Sequence, residues 1–263
     1  MTLTRAQFER AAAMEESQRR LERLARMSYG SLQALLAGDP AEAAGWVRCA
    51  AECGLAAAQL RLGRMLLDGS GMERDERAAF GWFARAAAQG DLEAMNMLGR
   101  CHENGWGAPA DLERAAASYR AAADGGHDWG QYNFGNLLFD GRGTSCDRPE
   151  ALRWFLRAAS QGHGRAMNMV GRCLEEGWGC LPRLEEAAYW YHQSALCGYF
   201  RGQFNHAVML AQLGFPDAAA DWFCKAATGD ARMREAIVTA LAGAAHPALQ
   251  QARRRLLDLP TES

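Results

Sequence analysis

Ala94-Met95-Asn96-Met97-Leu98-Gly99-Arg100-Cys101-His102-Glu103-Asn104-Gly105-Trp106-Gly107 returns 72 residues later as Ala166-Met167-Asn168-Met169-Val170-Gly171-Arg172-Cys173-Leu174-Glu175-Glu176-Gly177-Trp178-Gly179. Midway between the copies stands a related version, Gly130-Gln131-Tyr132-Asn133-Phe134-Gly135-Asn136-Leu137-Leu138-Phe139-Asp140-Gly141-Arg142-Gly143. The chain therefore repeats at 36 residues. Self-similarity at such a period points to a stacked array of small helical units, because one unit cannot bury its apolar face alone.

Working outward, the same ruler aligns four columns. Trp46, Trp82, Trp154 and Trp190 form the first, where Ser118 is the exception and Tyr119 beside it supplies the ring. Gly54, Gly90, Gly126, Gly162 and Gly198 form the second, and Gly63, Gly99, Gly135 and Gly171 the third, which ends in Ala207. The pairs Gly69/Gly71, Gly105/Gly107, Gly141/Gly143 and Gly177/Gly179 form the fourth.

Each column has a mechanical reading. A first helix A, such as 92–104, ends at the first glycine of the Gly-x-Gly pair, which can take the left-handed conformation that closes a helix. Helix B, such as 112–124, starts after Asp75, Asp111 or Asp147, whose carboxylates can accept the free amides of the first turn. Asp147 and Glu150 have capping-box spacing, while Arg183 in the fourth unit predicts a looser start. The second glycine column ends helix B. The mid-helix column costs ~1 kcal/mol per glycine against alanine, which makes sense where neighbouring helices approach closely.

Five helix pairs follow, at 55–90, 91–126, 127–162, 163–198 and 199–229, the last shortened at Gly214-Phe215-Pro216-Asp217. Residues 1–30 read as an amphipathic N-terminal cap with a helix over 4–27 ended by Tyr29-Gly30. Residues 31–54 form a truncated unit, with a short helix Leu32–Ala37, a turn at Gly38-Asp39-Pro40 and a helix Ala41–Cys53. Residues 230–263 supply closing helices broken at His246-Pro247, then a frayed tail from Pro260.

Composition narrows the function. A net charge of −2 and a pI near 6.3 argue against a nucleic-acid or membrane-surface binder. Lys225 is the only lysine among 29 basic residues, which either favours forked contacts to carboxylates or reflects a GC-rich genome. No apolar run approaches the ~20 residues that span a bilayer, so no membrane insertion is expected. The charged N-terminus lacks a secretion signal, which predicts a cytoplasmic protein whose eight cysteines stay reduced.

Ala-x-x-x-Leu-Gly, then Gly-x-Gly, then Asp, then Ala-x-x-Trp-Phe/Tyr-x-x-Ala-Ala-x-x-Gly at this period resembles the Sel-one-like repeat, a relative of the tetratricopeptide repeat, over about residues 55–229. The resemblance implies an all-α, right-handed α-solenoid of antiparallel helix pairs whose A helices line a concave groove. It also implies a non-enzymatic scaffold or adaptor that holds another protein or peptide. A secreted branch of the family carries disulfides where this chain has Ala87, Ala123, Ala159, Ala94 and Ala166, so the resemblance is to the non-disulfide branch. Similar proteobacterial members lie beside iron-uptake genes, and the alternative reading is a small-molecule- or metal-responsive regulator.

Mapping helix-A positions onto the family's concave face produces ladders. They are Glu93, Trp129, Arg165, Arg201; Asn96, Tyr132, Asn168, Phe204; Arg64, Arg100, Asn136, Arg172; and Glu103, Phe139, Glu175. The middle unit then offers an aromatic cluster, Trp129, Tyr132 and Phe139, flanked by polar groups as a binding hot spot requires. Alternatively, the Arg and Glu residues pair across units and the rings pack internally.

Other candidate chemistry is weak. The Gly-x-Gly loops lack the third glycine and the preceding strand of a dinucleotide site. His127 and His163 sit where a side chain can cap the next helix A, and Cys101 and Cys173 read as core. Cys101 and His102 are adjacent on a helix, and Cys49 and Cys53 form only half of a metal site. Lys225 has no serine three residues before it, and no Gly-x-Ser-x-Gly occurs. No catalytic residue, metal or cofactor is expected. Trp106 and Trp178 either tuck over the repeat edge or stand exposed, packing being favoured. Units two and four share Met-Asn-Met and Gly-Trp-Gly, so the true period is either 36 with a recent duplication or 72, in which case the doubling points to a ligand-facing surface.

Overall fold

A computed structural model of the chain describes residues 19, 20, 22, 23 and 37–258. The expected helix over 4–27, the short helix Leu32–Ala37 and the tail from Pro260 lie almost wholly outside the described residues. Among those described there are thirteen helices and no strand. They are α1 (Pro40–Glu52), α2 (Ala56–Asp68), α3 (Glu76–Ala88), α4 (Leu92–Asn104), α5 (Leu112–Asp124), α6 (Asp128–Asp140) and α7 (Arg148–Ser160), followed by α8 (Gly164–Glu176), α9 (Leu184–Leu196), α10 (Phe200–Gln212), α11 (Pro216–Ala227), α12 (Ala231–Ala240) and α13 (Pro247–Leu257). Among the described residues no helix is long and apolar enough to cross a membrane.

The chain forms two compact units, Met1–Ala122 and Ala123–Ser263, which divide within α5. In each, consecutive helices pack as pairs, the α-solenoid arrangement that the repeat predicts.

Punctuation residues set the helix lengths. Gly105 closes α4 with φ 76°, and its N–H donates to the Cys101 carbonyl. Gly69, Gly141 and Gly177 close α2, α6 and α8 in the same left-handed conformation. At the N-termini, Asp75, Asp111 and Asp147 accept from the amides of Ala78, Arg114 and Glu150 at 2.9, 3.0 and 2.9 Å. Each such cap stabilises its helix by ~1 kcal/mol. His127 and His163 cap α6 and α8 through Nδ1, which accepts from Gly130 N and Ala166 N at 3.0 and 3.1 Å.

One local expectation is corrected. The capping box at Asp147 is only half made, because the Glu150 carboxylate accepts from Arg153 instead of the cap amide. At α9, Arg183 gives no side-chain cap to the first turn, as the absent aspartate implies; the helix still begins on register at Leu184, and Arg183 donates to Glu186 at 3.1 Å. The Arg183 backbone N–H donates to the Leu174 carbonyl at 2.8 Å, as those of Asp75, Asp111 and Asp147 donate to Leu66, His102 and Leu138, so this bond anchors the turn with or without a side-chain cap.

The mid-helix glycines answer to a ring rather than to a helix backbone. A Cβ on Gly99 would sit 2.5 Å from the Tyr119 ring, and Gly63, Gly135 and Gly171 stand against Phe83, Phe155 and Tyr191 likewise. These four rings are at most 1% exposed, whereas Trp82 and Trp190 are half-buried. The position after the tryptophan column thus supplies the core ring in these four repeats, and Trp154, also buried, joins it in the third. In the first unit Phe83 packs among Leu62, Met65, Met97 and Cys101, and in the second Phe223, Ile237, Leu241 and Leu256 close the C-terminal end.

Candidate functional site

The ladder positions of α8 are Arg165, Asn168, Arg172 and Glu175, and the spacing i, i+3, i+7, i+10 puts them on one helix face. In the second unit this face meets Arg201, Phe204 and Asn205 of α10, Tyr132 of α6, Tyr199 and Met233 around an open cleft of ≈ 210 Å³. Six of the ladder residues read from the sequence converge here: Tyr132, Arg165, Asn168, Arg172, Arg201 and Phe204. In the first unit a separate cleft of ≈ 410 Å³ gathers Arg64, Arg74, Asp68, Arg100, Met97 and Trp106.

Guanidinium groups lie on aromatic rings in both. Arg100 sits 5.2 Å from the centre of the Trp106 ring, and Arg172 4.8 Å from that of Trp178. Arg165 lies over Trp129 at 5.3 Å and over Tyr199 at 5.7 Å. Each such contact contributes ~0.5–1 kcal/mol at an exposed site. Trp106 and Trp178 are accordingly half-buried and packed, Trp178 edge-on to Phe139 at 5.2 Å.

The aromatic residues of the middle unit are split by packing. Trp129, 41% exposed, stands edge-on to His163 at 4.5 Å, and Tyr132 stacks on the same imidazole at 4.9 Å. Phe139 lies instead with Phe155 and Trp178, under the Arg148 guanidinium. His163 is 7% exposed, its Nε2 has no partner, and burial lowers its pKa from the ordinary value.

Several ladder residues spend their polar groups within the fold. Glu103 and Glu175 accept from the hydroxyls of Tyr119 and Tyr191 at 2.8 and 2.6 Å. Burial, followed by the neighbouring carboxylate, drives both tyrosine pKa values upward. Glu93 pairs with Arg64. Asn96 is buried, Asn136 is half-buried, and the Asn168 Oδ1 accepts from Asn205 Nδ2 at 2.8 Å.

The sequence reading missed Tyr199, Asn205, Met169 and Met233. Tyr199 and Asn205 each adjoin a ladder residue of α10 or its start, so a wider column would have included them. Met233 belongs to α12, which does not follow the repeat, and no column could have pointed to it.

The thiols are quiet. All eight cysteines are free, and burial pushes those of Cys101 and Cys173 up to about 11 and about 12, where little thiolate exists near neutrality. No group of three His, Cys, Asp or Glu positioned to hold a metal ion occurs among the described residues. A pair absent from the sequence reading, His192 Nδ1 and His206 Nε2, lies at 3.0 Å beneath Trp222.

The model of the Sel1 repeat family matches residues 21–55, 56–91, 92–127, 130–163, 164–199 and 216–230. Among solved structures, the chain is similar to a Sel1 repeat protein from Oxalobacter formigenes, at 25% identity, TM-score 0.76, over 86% of this chain and 95% of that one. It is also similar to a protective antigen of uropathogenic Escherichia coli with an SLR fold, at 27% identity and TM-score 0.70. That match covers 86% of this chain, which spans only 50% of the antigen. An immunity protein from Pseudomonas aeruginosa, at 16% identity and TM-score 0.51 over 77% of this chain and 79% of that one, shares the fold alone. No curated protein sequence matches the chain.

Proposed function

The chain belongs to the Sel1 repeat family, and from that premise we propose that it is a non-enzymatic scaffold whose helix-A faces each hold a segment of a partner protein. Sel1 repeat proteins generally mediate protein–protein interactions. In this reading the repeats at 55–229 carry the binding surface, the flanking segments cap the array, and the protein works in the cytoplasm, where its free thiols stay reduced.

The carrying observation is the cleft of the second unit, where arginines, two asparagines and aromatic rings meet an open surface. Aromatic and arginine side chains in a partly desolvated depression are the usual anchors of a protein interface. Stacked guanidinium groups there keep their N–H edges for a ligand.

The test uses Arg100→Ala, Tyr132→Ala and Arg172→Ala combined in the full chain. A partner captured from cell extract is purified and titrated against both proteins. The variant is expected to keep its helical circular dichroism and melting temperature while losing at least tenfold in affinity. Wild-type affinity in the triple variant would overturn the reading.

A further inference from the structure

The arginines of this molecule differ in whether a carboxylate neutralises them. Arg64, Arg74, Arg114, Arg153 and Arg183 each pair with a carboxylate of a described residue. Arg165, Arg172 and Arg201 do not: none forms an ion pair with any described residue. All three line the same cleft, and no Asp or Glu lines it with them.

The first unit provides a control. Its cleft also gathers three arginines, but Asp68 lines it, and Arg64 and Arg74 are engaged by Glu93 and Glu76. Of these two clefts, the one in the second unit gathers positive charge with no carboxylate in its lining. Ring stacking keeps it in place: Arg165 lies on Trp129 and Tyr199, Arg172 on Trp178, and Arg201 on Phe200. A guanidinium stacked on its face has already lost much of its rotamer freedom, so its forked edge meets a carboxylate at a smaller entropy cost.

We propose that the cleft formed by α8 and α10 binds an acidic peptide segment of a partner protein, with Arg165, Arg172 and Arg201 forking its carboxylates. The proposal rests on the segment-binding reading above and adds the charge that selects the segment. Asn168 supports it, since its oxygen is committed to Asn205 while no described residue accepts from its amide, which is left to donate to a peptide carbonyl.

Geometry also sets a spacing. Arg165 and Arg172 are two turns apart on α8, about 10 Å along its axis. An extended peptide advances ~3.3 Å per residue, so acidic side chains about three residues apart would reach both guanidinium groups.

The experiment is a selection from a random dodecamer library displayed on phage, run against the full chain and against Arg165→Gln/Arg172→Gln/Arg201→Gln. Glutamine keeps the stem and removes the charge, and unchanged melting shows that the variant is folded. The wild-type pool is expected to be enriched in peptides with at least two Asp or Glu, three residues apart more often than in the naive library. Replacing both acids by amides in a synthetic winner should weaken it at least tenfold, and the triple variant should lose the enrichment. A neutral or basic wild-type pool, or an acidic pool that survives in the triple variant, overturns the proposal. A neutral pool lost on Tyr132→Ala would overturn the charge rule while leaving segment binding standing, whereas a selection that enriches nothing would count against both.

Discussion

In units two and four a tyrosine occupies the space that phenylalanine occupies in units one and three, and its surroundings change with it. Tyr119 and Tyr191 donate to Glu103 and Glu175. At the corresponding positions the odd units have Phe83 with Leu67 and Phe155 with Phe139, which have no hydroxyl and need no acceptor. A second pair alternates in the same way. Gln89 donates to Gln59 at 2.8 Å and Gln161 to Gln131 at 2.9 Å in the odd units, where unit four sets the Cys197 thiol 3.7 Å from the Met167 sulfur. The loop tryptophans Trp106 and Trp178, under Arg100 and Arg172, complete the even pattern.

One backbone therefore accepts two matched sets of side chains. A buried hydroxyl requires an acceptor and a half-buried carboxylate gains from a donor, so neither partner can change alone without cost. Packing itself accounts for part of the 72-residue alternation, so the doubling does not by itself point to a ligand-facing surface.

Crossing the two sets should break the molecule most severely. Phe155→Tyr puts a hydroxyl into an odd unit whose acceptor position holds Phe139, and the expected loss is about 3 kcal/mol, read as a lower denaturant midpoint at constant m. A change below ~0.5 kcal/mol would show that the sets are interchangeable.

The fifth unit follows neither set and extends the comparison through pH. His206 stands in the column that holds Leu62, Leu98, Phe134 and Val170 elsewhere. Burial, then His192, lowers its pKa from 6.5 to about 4. The unfolded chain thus binds this proton more tightly, so the stabilising contribution is intact above about 6.5 and is lost as pH falls toward about 4. After discounting for partial solvent contact, the loss should be on the order of 2 kcal/mol. Equilibrium unfolding at pH 7 and pH 4.5 measures it, and His206→Phe should flatten that difference. An equal pH slope in the variant would place the acid sensitivity elsewhere.

The mildest test converts an even unit into an odd one. Tyr191→Phe should cost about 1 kcal/mol by stranding Glu175, and adding Glu175→Leu should recover most of it, as in the Phe83 and Leu67 pair. Strict additivity in that cycle would deny the coupling.

The helices themselves were legible because their ends are written in single residues. Gly105 admits the left-handed cap and Asp111 the amide-accepting start, and both act within a few residues of chain. The site was legible only as columns. Arg64 and Arg172 share a column, yet one is engaged by Glu93 and the other faces an open cleft. Glu103 and Glu175 read as groove residues, and the columns gave no sign that each also accepts from a buried tyrosine sixteen positions away.

By itself the sequence determined the period, the all-helical class and the boundaries of the helices, since short-range sterics and capping decide those locally. Only the tertiary structure decided which ring faces each mid-helix glycine, which carboxylates a buried tyrosine engages and which three arginines share a cleft that no carboxylate lines. Those outcomes depend on distances between side chains on different helices, and identical letters at a 36-residue spacing carry no record of them.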